Sequence, residues 1–205
     1  MSLLKEKLAK IFPPLKDDIS NFVKNYGDKE VSKVTLAQAY GGMRGVKGLV
    51  CDTSEVPPDK GLIIRGIELK HLTEKIPEEI FYLLLTGELP NEAELKDLQA
   101  DLKAREEVPQ YVWNVLEAMP ADSHPMCLFN TAILVMQKES VFAKRYAEGM
   151  PKNEYWDPTY EDSMDIIAKL PAIGAYVYRK KFNKGPIIES DKTADWGKNF
   201  AHMLG

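Results

Sequence analysis

The longest run of helical apolar spacing in this chain is TYEDSMDIIAKLPAIGAYVYRKKF, residues 159–182. Two apolar stripes follow it, one at Tyr160, Met164, Ile167, Pro171 and Tyr178, the other at Ile166, Leu170, Ile173 and Val177. This spacing predicts one helix over the whole stretch. One stripe is enough to pack against a core, so a second stripe predicts contact on another side of the helix. A proline in a helix interior costs on the order of 3 kcal/mol, which indicates that the surroundings hold the helix, with a kink.

Three acidic residues lie near the predicted N-terminus of this helix. Glu161, Asp162 and Asp165 follow the predicted helix start at Thr159. Because carboxylates are favoured near a helix N-terminus, we expect these three to interact with the helix dipole.

A second helix, over 124–138, is apolar nearly all round. Met126 to Met136 is interrupted only by Asn130 and Thr131. Ser123 is the predicted N-cap, with Pro125 in the first turn. A helix without a polar face must be covered on every side, which again indicates a second packing partner.

The remaining pattern after Gly66 is also helical. Prolines, glycines and a capping box at Asn91-Glu92-Ala93-Glu94 divide it into short helices. We predict them at 68–75, 77–86, from Asn91, 109–116, 142–149, and from Ser190-Asp191 to the end.

Before the glycine-rich stretch, an apolar stripe predicts an N-terminal arm. Pro13-Pro14 predicts a break or a kink, which we interpret as two helices, 2–12 and 14–25.

One short region has a β pattern. Residues 48–53 and 62–66 are β-prone runs around Pro57-Pro58-Asp59-Lys60-Gly61, which predicts a hairpin. The predicted fold class is therefore mainly α, multi-helical, with one small β-hairpin near residues 48–66.

A glycine-rich stretch, Tyr40-Gly-Gly-Met-Arg-Gly-Val-Lys-Gly-Leu-Val50, combines four glycines with two cations. Such a stretch can direct backbone N–H groups and positively charged side chains toward the same space. That arrangement can bind a phosphate or a carboxylate. The alternative is a tight turn in which Arg44 and Lys47 are simply solvated. The stretch fits neither the G-x-G-x-x-G dinucleotide pattern nor a phosphate-binding loop, since no Gly-Lys-Ser/Thr occurs.

Composition excludes several classes of protein. The net charge of -4 over 205 residues gives no electrostatic basis for nucleic-acid binding. Cys51 and Cys127 are far apart, which predicts reduced thiols rather than a disulfide framework or a zinc site. No apolar run is long enough to cross a bilayer, and no secretory signal or Arg-rich transit peptide is recognisable.

Catalytic chemistry is not visible in the residues alone. His71, His124 and His202 have no partner at metal-ligand spacing, and for His124 a helix-capping role is the simpler interpretation. An acid beside Cys51, at Asp52, is expected to raise the pKa of the thiol, so Cys51 is not interpreted as a nucleophile.

Seven motifs are spread in order along the chain: Tyr40–Val50, Leu84-Leu-Thr-Gly87 with Pro90, His124-Pro-Met126, Tyr146-Ala-Glu-Gly149, Tyr155-Trp156, Tyr160–Pro171, and Asn199-Phe200 with Met203-Leu-Gly205. On these motifs the chain resembles citrate synthase of the mitochondrial and related bacterial type. The resemblance implies a homodimeric, mostly helical enzyme that condenses acetyl-CoA with oxaloacetate to citrate and CoA, in the tricarboxylic acid cycle. Such an acyltransferase needs no metal and no tightly bound cofactor.

The resemblance also implies a domain organisation. Residues 1–205 would be the N-terminal part of the large domain, with an arm over 1–30, the glycine-rich turn and hairpin over 39–66, and a helical core over 67–205. The small domain and the catalytic half would lie beyond Gly205, so no catalytic residue is expected in this chain and the chain alone is expected to be inactive.

Two site residues carry over from the family. Arg44 matches an arginine that contacts CoA phosphate, and Lys152 falls at a cation that reaches the CoA of the neighbouring subunit. The family usually has arginine there, and lysine keeps the charge but loses bidentate geometry. Helices 124–138 and 159–182 correspond to the family's dimer interface.

Alternatives remain open at this stage. They are a non-catalytic helical module that dimerises and binds CoA, and a related condensing enzyme such as 2-methylcitrate synthase. No membrane or nucleic-acid partner is expected. The expected location is the bacterial cytoplasm, or alternatively the mitochondrial matrix.

Overall fold

A computed structural model describes residues 2–205 as a helical protein with a small sheet. Its α-helices are α1 (Leu3–Tyr26), α2 (Leu36–Tyr40), α3 (Pro77–Thr86), α4 (Glu92–Arg105), α5 (Gln110–Ala118), α6 (Pro125–Val135), α7 (Val141–Ala147), α8 (Trp156–Lys181) and α9 (Trp196–Leu204). The chain divides into two compact units. The first comprises Leu3–Lys75 and Glu79–Pro90, and the second comprises Ser2, Ile76–Glu78 and Asn91–Gly205. The predicted fold class, mainly α with a small β element, is confirmed.

The N-terminal arm differs from the prediction. The expected break at Pro13-Pro14 is wrong, because α1 continues through both prolines from Leu3 to Tyr26. Proline has a helical φ angle, so α1 can continue through the pair, although each proline removes one hydrogen bond and its ring crowds the carbonyl four residues earlier. Leu4 and Leu8 are buried, whereas every residue from Pro13 onward in α1 is partly or fully exposed.

The β structure is a three-stranded antiparallel sheet rather than a single hairpin. Its strands are β1 (Ser54–Glu55), β2 (Ile63–Ile64) and β3 (Ile67–Glu68), with β2 in the centre. The hairpin between β1 and β2 is confirmed, but the run at 48–53 is not a strand. The second hairpin was not predicted. It turns at Arg65-Gly66, with φ angles of 47° and 80°, and such left-handed positions favour glycine.

The helix predicted over 68–75 is also wrong. Glu68 belongs to β3, and only a short 3₁₀-helix, Leu69–His71, follows it. The sheet and this turn supply apolar side chains to a small core. Ile64, Leu72 and Leu83 are buried there, so the first unit has a core of its own.

The core of the second unit lies between α5, α6 and α8. Val112 and Leu116 from α5, Leu128 and Ala132 from α6, and Ile173 from α8 are all fully buried. Leu98 and Leu102 of α4 are buried as well, as expected for the narrow stripe of a surface helix.

Helix boundaries follow local capping chemistry. The capping box at Asn91 is confirmed, with Glu94 N–H donating to Asn91 and Asn91 N–H donating back to Glu94. The cap of α6 is His124 rather than Ser123, because His124 Nδ1 accepts from the Met126 N–H at 3.2 Å. The last helix begins at Trp196 with Asp195 as its cap, so the predicted start at Ser190-Asp191 is wrong.

The two helices with excess apolar surface are both present. α8 begins at Trp156, three residues earlier than predicted, and buries Pro171 in its interior. α6 ends at Val135 and continues as a 3₁₀-helix, Met136–Glu139. On α6, Met126 remains 54% and Leu134 72% exposed, so part of its apolar surface has no cover within the chain.

Candidate functional site

The glycine-rich stretch forms an exposed turn held to the end of α2. Gly41 caps α2, and Gly42, Met43 and Gly45 then take φ angles of 78°, 60° and 74°. Glycine adopts such angles without strain, so this sequence reverses the chain within a few residues.

Gln38 holds this turn at two points. Its backbone carbonyl accepts from the Met43 N–H at 2.8 Å, and its side-chain amide donates to the Arg44 carbonyl at 3.3 Å. Gln38 also forms a capping box with Thr35, the N-cap of α2. The backbone that carries Arg44 is therefore anchored to a capped helix.

The two cations of the turn point away from the core. Arg44 and Lys47 are exposed, and neither makes an ion pair or a side-chain hydrogen bond within residues 2–205. Nearby apolar residues are exposed too, at 88% for Tyr40 and 94% for Val50. Two uncompensated cations on an open turn can accept an anionic ligand such as a phosphate.

Lys152 lies in the second unit, in the connection between α7 and α8. It is the first residue of a 3₁₀-helix, Lys152–Glu154, and it is exposed. Arg145 fixes this connection from α7, with ion pairs to Glu154 at 2.7 Å and to Asp157 at 2.6 Å. The ammonium of Lys152 has no ion pair in the described part of the chain, so it too is available to an anion.

Aromatic rings also pack together at the connection between α7 and α8. The ring centroids of Phe142 and Tyr155 lie 5.2 Å apart, and that of Tyr146 lies 6.0 Å from Tyr155. The sequence analysis missed this cluster and Arg145. The two residues of each of these contacts are nine to thirteen positions apart in the sequence. Pattern analysis of helices relies on spacings of three and four residues, so it does not detect such pairs.

The histidines occupy separate places. His124 caps α6, which confirms the simpler interpretation, while His71 ends a 3₁₀-helix and His202 lies in the last turn of α9. Throughout residues 2–205, no group of three or more His, Cys, Asp or Glu side chains is placed to hold a metal ion.

The charge of Asp52 acts to raise the pKa of the Cys51 thiol, as expected, but it is not the largest effect on this group. A contact of Sγ with Thr53 Oγ1 at 3.2 Å, together with hydrogen bonding at Ser54 and Thr53, lowers the pKa of the thiol overall. Asp52 itself pairs with Arg65 at 2.9 Å. Cys51 and Cys127 are both free thiols, as predicted.

The family model described as citrate synthase, C-terminal domain, matches residues 42–205. The chain belongs to the citrate synthase family. The match begins inside the glycine-rich turn and includes Arg44 and Lys152.

Individual citrate synthases show the same relationship in sequence. Mitochondrial citrate synthase of Saccharomyces cerevisiae is 45% identical over 98% of this chain and 44% of its own length. The peroxisomal enzyme of the same yeast is 41% identical, and mitochondrial 2-methylcitrate synthase of Yarrowia lipolytica is also 41% identical. The chain thus spans less than half the length of these relatives.

Solved structures show the same fold. Citrate synthase from Pyrobaculum aerophilum covers 86% of this chain with a TM-score of 0.71 at 23% identity, and the match takes in 45% of that enzyme. Citrate synthase of Thermoplasma acidophilum was solved in a ternary complex with carboxymethyl coenzyme A and oxaloacetate. It covers 85% of this chain with a TM-score of 0.66 at 19% identity, and the match takes in 42% of that enzyme.

Proposed function

We propose that this chain is the N-terminal half of a citrate synthase, an acyltransferase that condenses acetyl-CoA with oxaloacetate to give citrate and CoA. The family match over residues 42–205 is the observation that carries this proposal. The relatives are about twice as long as this chain, which leaves room for a catalytic half and a small domain outside these 205 residues.

Within this chain, we assign Arg44 to the phosphates of CoA and Lys152 to the CoA that the neighbouring subunit binds. Both are exposed cations without an ion pair among residues 2–205, and each lies on a backbone held by neighbouring hydrogen bonds or ion pairs. An arginine can bind a phosphate through two parallel N–H···O bonds, whereas a lysine acts as a point charge. Arg44 is therefore the stronger contact of the two.

No catalytic residue is assigned to the chain. In the family, the groups that enolise the acetyl donor and polarise the oxaloacetate carbonyl would lie in the other half. The three histidines here serve as a helix cap or lie in terminal turns, which supports that assignment.

The partner is a second copy of the protein, bound through helices near 124–138 and 159–182. Leu134 is 72% exposed on α6, and a cavity of about 290 Å³ beside it is lined by Ile133, Met136 and Ile166. Exposed apolar surface of this kind is typical of an interface.

The relatives' names bear on the location. Those most similar in sequence include mitochondrial and peroxisomal enzymes, which favours the mitochondrial matrix over the bacterial cytoplasm. No helix in residues 2–205 is long and apolar enough to span a membrane.

A free-thiol assay with acetyl-CoA and oxaloacetate tests the proposal. The 205-residue chain alone is expected to release no CoA above the blank, and the protein extended to the length of its relatives is expected to release it. Turnover by the isolated chain would refute the assignment of catalysis to the other half. An inactive extended protein would contradict the proposed reaction.

The 2-methylcitrate synthase relative supports a second candidate. 2-Methylcitrate has one carbon more than citrate, so its acyl donor has three carbons. Comparing kcat/KM for acetyl-CoA and propionyl-CoA in the extended protein decides between the two reactions.

A further inference from the structure

Glu78 is a buried carboxylate with one unsatisfied oxygen. It is the second residue of α3 and only 3% exposed. Its Oε1 accepts from the Trp196 backbone N–H at 2.8 Å and, at 3.5 Å, from the amide of Gln99. Its Oε2 is buried and has no hydrogen-bond partner, and no ion pair to Glu78 is found within residues 2–205. A buried carboxylate oxygen in this state needs a donor.

A cavity of about 40 Å³ lies beside this side chain, within the second unit. Its polar lining includes Gln99, Lys103, Ser190 and Asn199. A water molecule needs roughly 10–15 Å³ of such space and two to four polar partners. The cavity is therefore large enough for water and polar enough to keep it.

The two oxygens of the Glu78 carboxylate have different surroundings. Trp196 is the first residue of α9, so Oε1 accepts from an N–H of the helix N-terminus, and Asp195 caps the same turn by accepting from the Lys198 N–H at 2.8 Å. Oε1 is thereby satisfied, and Oε2 is the atom that still needs a donor from the cavity.

We propose that this cavity is a binding site for an ordered water molecule, which donates a hydrogen bond to Glu78 Oε2 and another to the side chain of Gln99. The water supplies the donor that the buried oxygen otherwise lacks. Glu78 then acts as a positioning residue that holds the first turn of α9 through the Trp196 N–H.

A crystal structure that resolves ordered solvent tests the site directly. The expected result is a water peak about 2.6–3.2 Å from Glu78 Oε2. A dry cavity would overturn the proposal. So would the Lys103 ammonium, rather than water, at Oε2.

A variant tests the positioning role in solution. In Glu78→Met the Trp196 N–H loses its acceptor, and we expect its hydrogen-exchange protection to fall at least tenfold and the cavity water to disappear. Glu92→Gln is the matched control, because Glu92 is an exposed acid on α4 paired only with Lys96. Unchanged protection of Trp196 in Glu78→Met would contradict the positioning role. If Glu78→Met does not fold, the solvent structure of the unmodified protein still decides the proposal.

Discussion

The carboxylate of Asp162 on α8 accepts a hydrogen bond from the backbone N–H of Val141, the first residue of α7, at 2.7 Å. It also accepts from the N–H of Phe142 at 3.2 Å and from the hydroxyl of Ser140, the N-cap of α7. One side chain of the long helix thus satisfies two N–H groups that α7 cannot bond itself. This contact joins α7 to α8 next to the connection that carries Lys152.

Replacing Asp162 tests this contact. Asp162→Ala leaves two helix-terminal N–H groups without their acceptor, and we expect the free energy of unfolding to fall by about 1–2 kcal/mol. Urea denaturation measures it. Asp18→Ala, on the exposed part of α1, is the control and should change stability by less than about 0.5 kcal/mol. Equal effects of the two substitutions would show that Asp162 does not cap α7.

Arg105 holds three carboxylates at once. Its guanidinium lies 2.6 Å from Asp101, 2.7 Å from Glu161 and 2.9 Å from Asp165, and its side chain is only 21% exposed. We expect Arg105→Met to lower the free energy of unfolding by about 2 kcal/mol or more, because the three acids lose a cation that they share. Arg105→Lys should recover only part of the loss, since an ammonium cannot match the guanidinium fork.

A surface pair provides the comparison for Arg105. Lys96 and Glu92 on α4 have side chains 72% and 82% exposed. Lys96→Met should cost no more than about 0.5 kcal/mol in the same urea experiment. A loss as small as this in Arg105→Met would contradict the structural role of the Arg105 cluster.

These acids show where sequence patterns are insufficient. Helix α8, its length and its two apolar stripes followed from periodicity alone. The roles of Glu161, Asp162 and Asp165 did not. The expected dipole interaction was wrong, because α8 begins at Trp156 and the dipole effect is confined to the first turn. Their true partners, Arg105 and the start of α7, are 20 to 60 residues away in sequence.

The conformation of the turn at residues 40–50 was more predictable than the fold details around it. Glycines and cations at residues 40–50 predicted an exposed cationic turn, because glycine's backbone freedom is a local property. Pro13-Pro14 predicted a break that does not occur, since the fixed φ angle of proline is helical and α1 continues despite the lost hydrogen bonds and the crowding by the rings. The third strand was missed because Ile67–Glu68 has only two residues, too few for an alternating pattern.

The stability of the folded protein at alkaline pH depends on the protonation of Tyr176. Burial, and then its hydrogen bond to Glu117, raise the pKa of Tyr176 above its usual value of 10.0. The unfolded chain therefore ionises this tyrosine at a lower pH than the folded chain. The stability that depends on the neutral phenol is present below pH 10.0 and is lost as the pH rises above it.

Tyr176→Phe isolates that contribution. The variant should lose about 1 kcal/mol of stability at neutral pH, because the hydrogen bond to Glu117 is removed. Its stability should also fall less steeply than that of the unmodified protein above pH 10.0. Thermal unfolding at a series of pH values checks both expectations. Parallel pH curves for the two proteins would show that Tyr176 titrates alike in the folded and unfolded chains.

Leu134 tests the proposed dimer. It is 72% exposed on α6, where a second copy would cover it. We expect Leu134→Asp to shift the protein toward monomer in light scattering without loss of helical content. Phe22→Asp, at a residue 64% exposed on α1, is the control and should leave the dimer unchanged. A dimer unaffected by Leu134→Asp would place the interface elsewhere.

The central claim is that the glycine-rich turn binds the phosphates of CoA. Replacing Arg44 tests this claim most directly. The measurement is the KM for acetyl-CoA in the protein extended to its relatives' length, comparing Arg44→Ala with the unmodified enzyme and with Lys29→Ala, an exposed cation outside the turn. We predict that Arg44→Ala raises this KM about tenfold or more, the loss expected for one charge-assisted contact of about 1.5–3 kcal/mol, while kcat and the KM for oxaloacetate stay nearly constant. An unchanged KM for acetyl-CoA in Arg44→Ala would contradict the account.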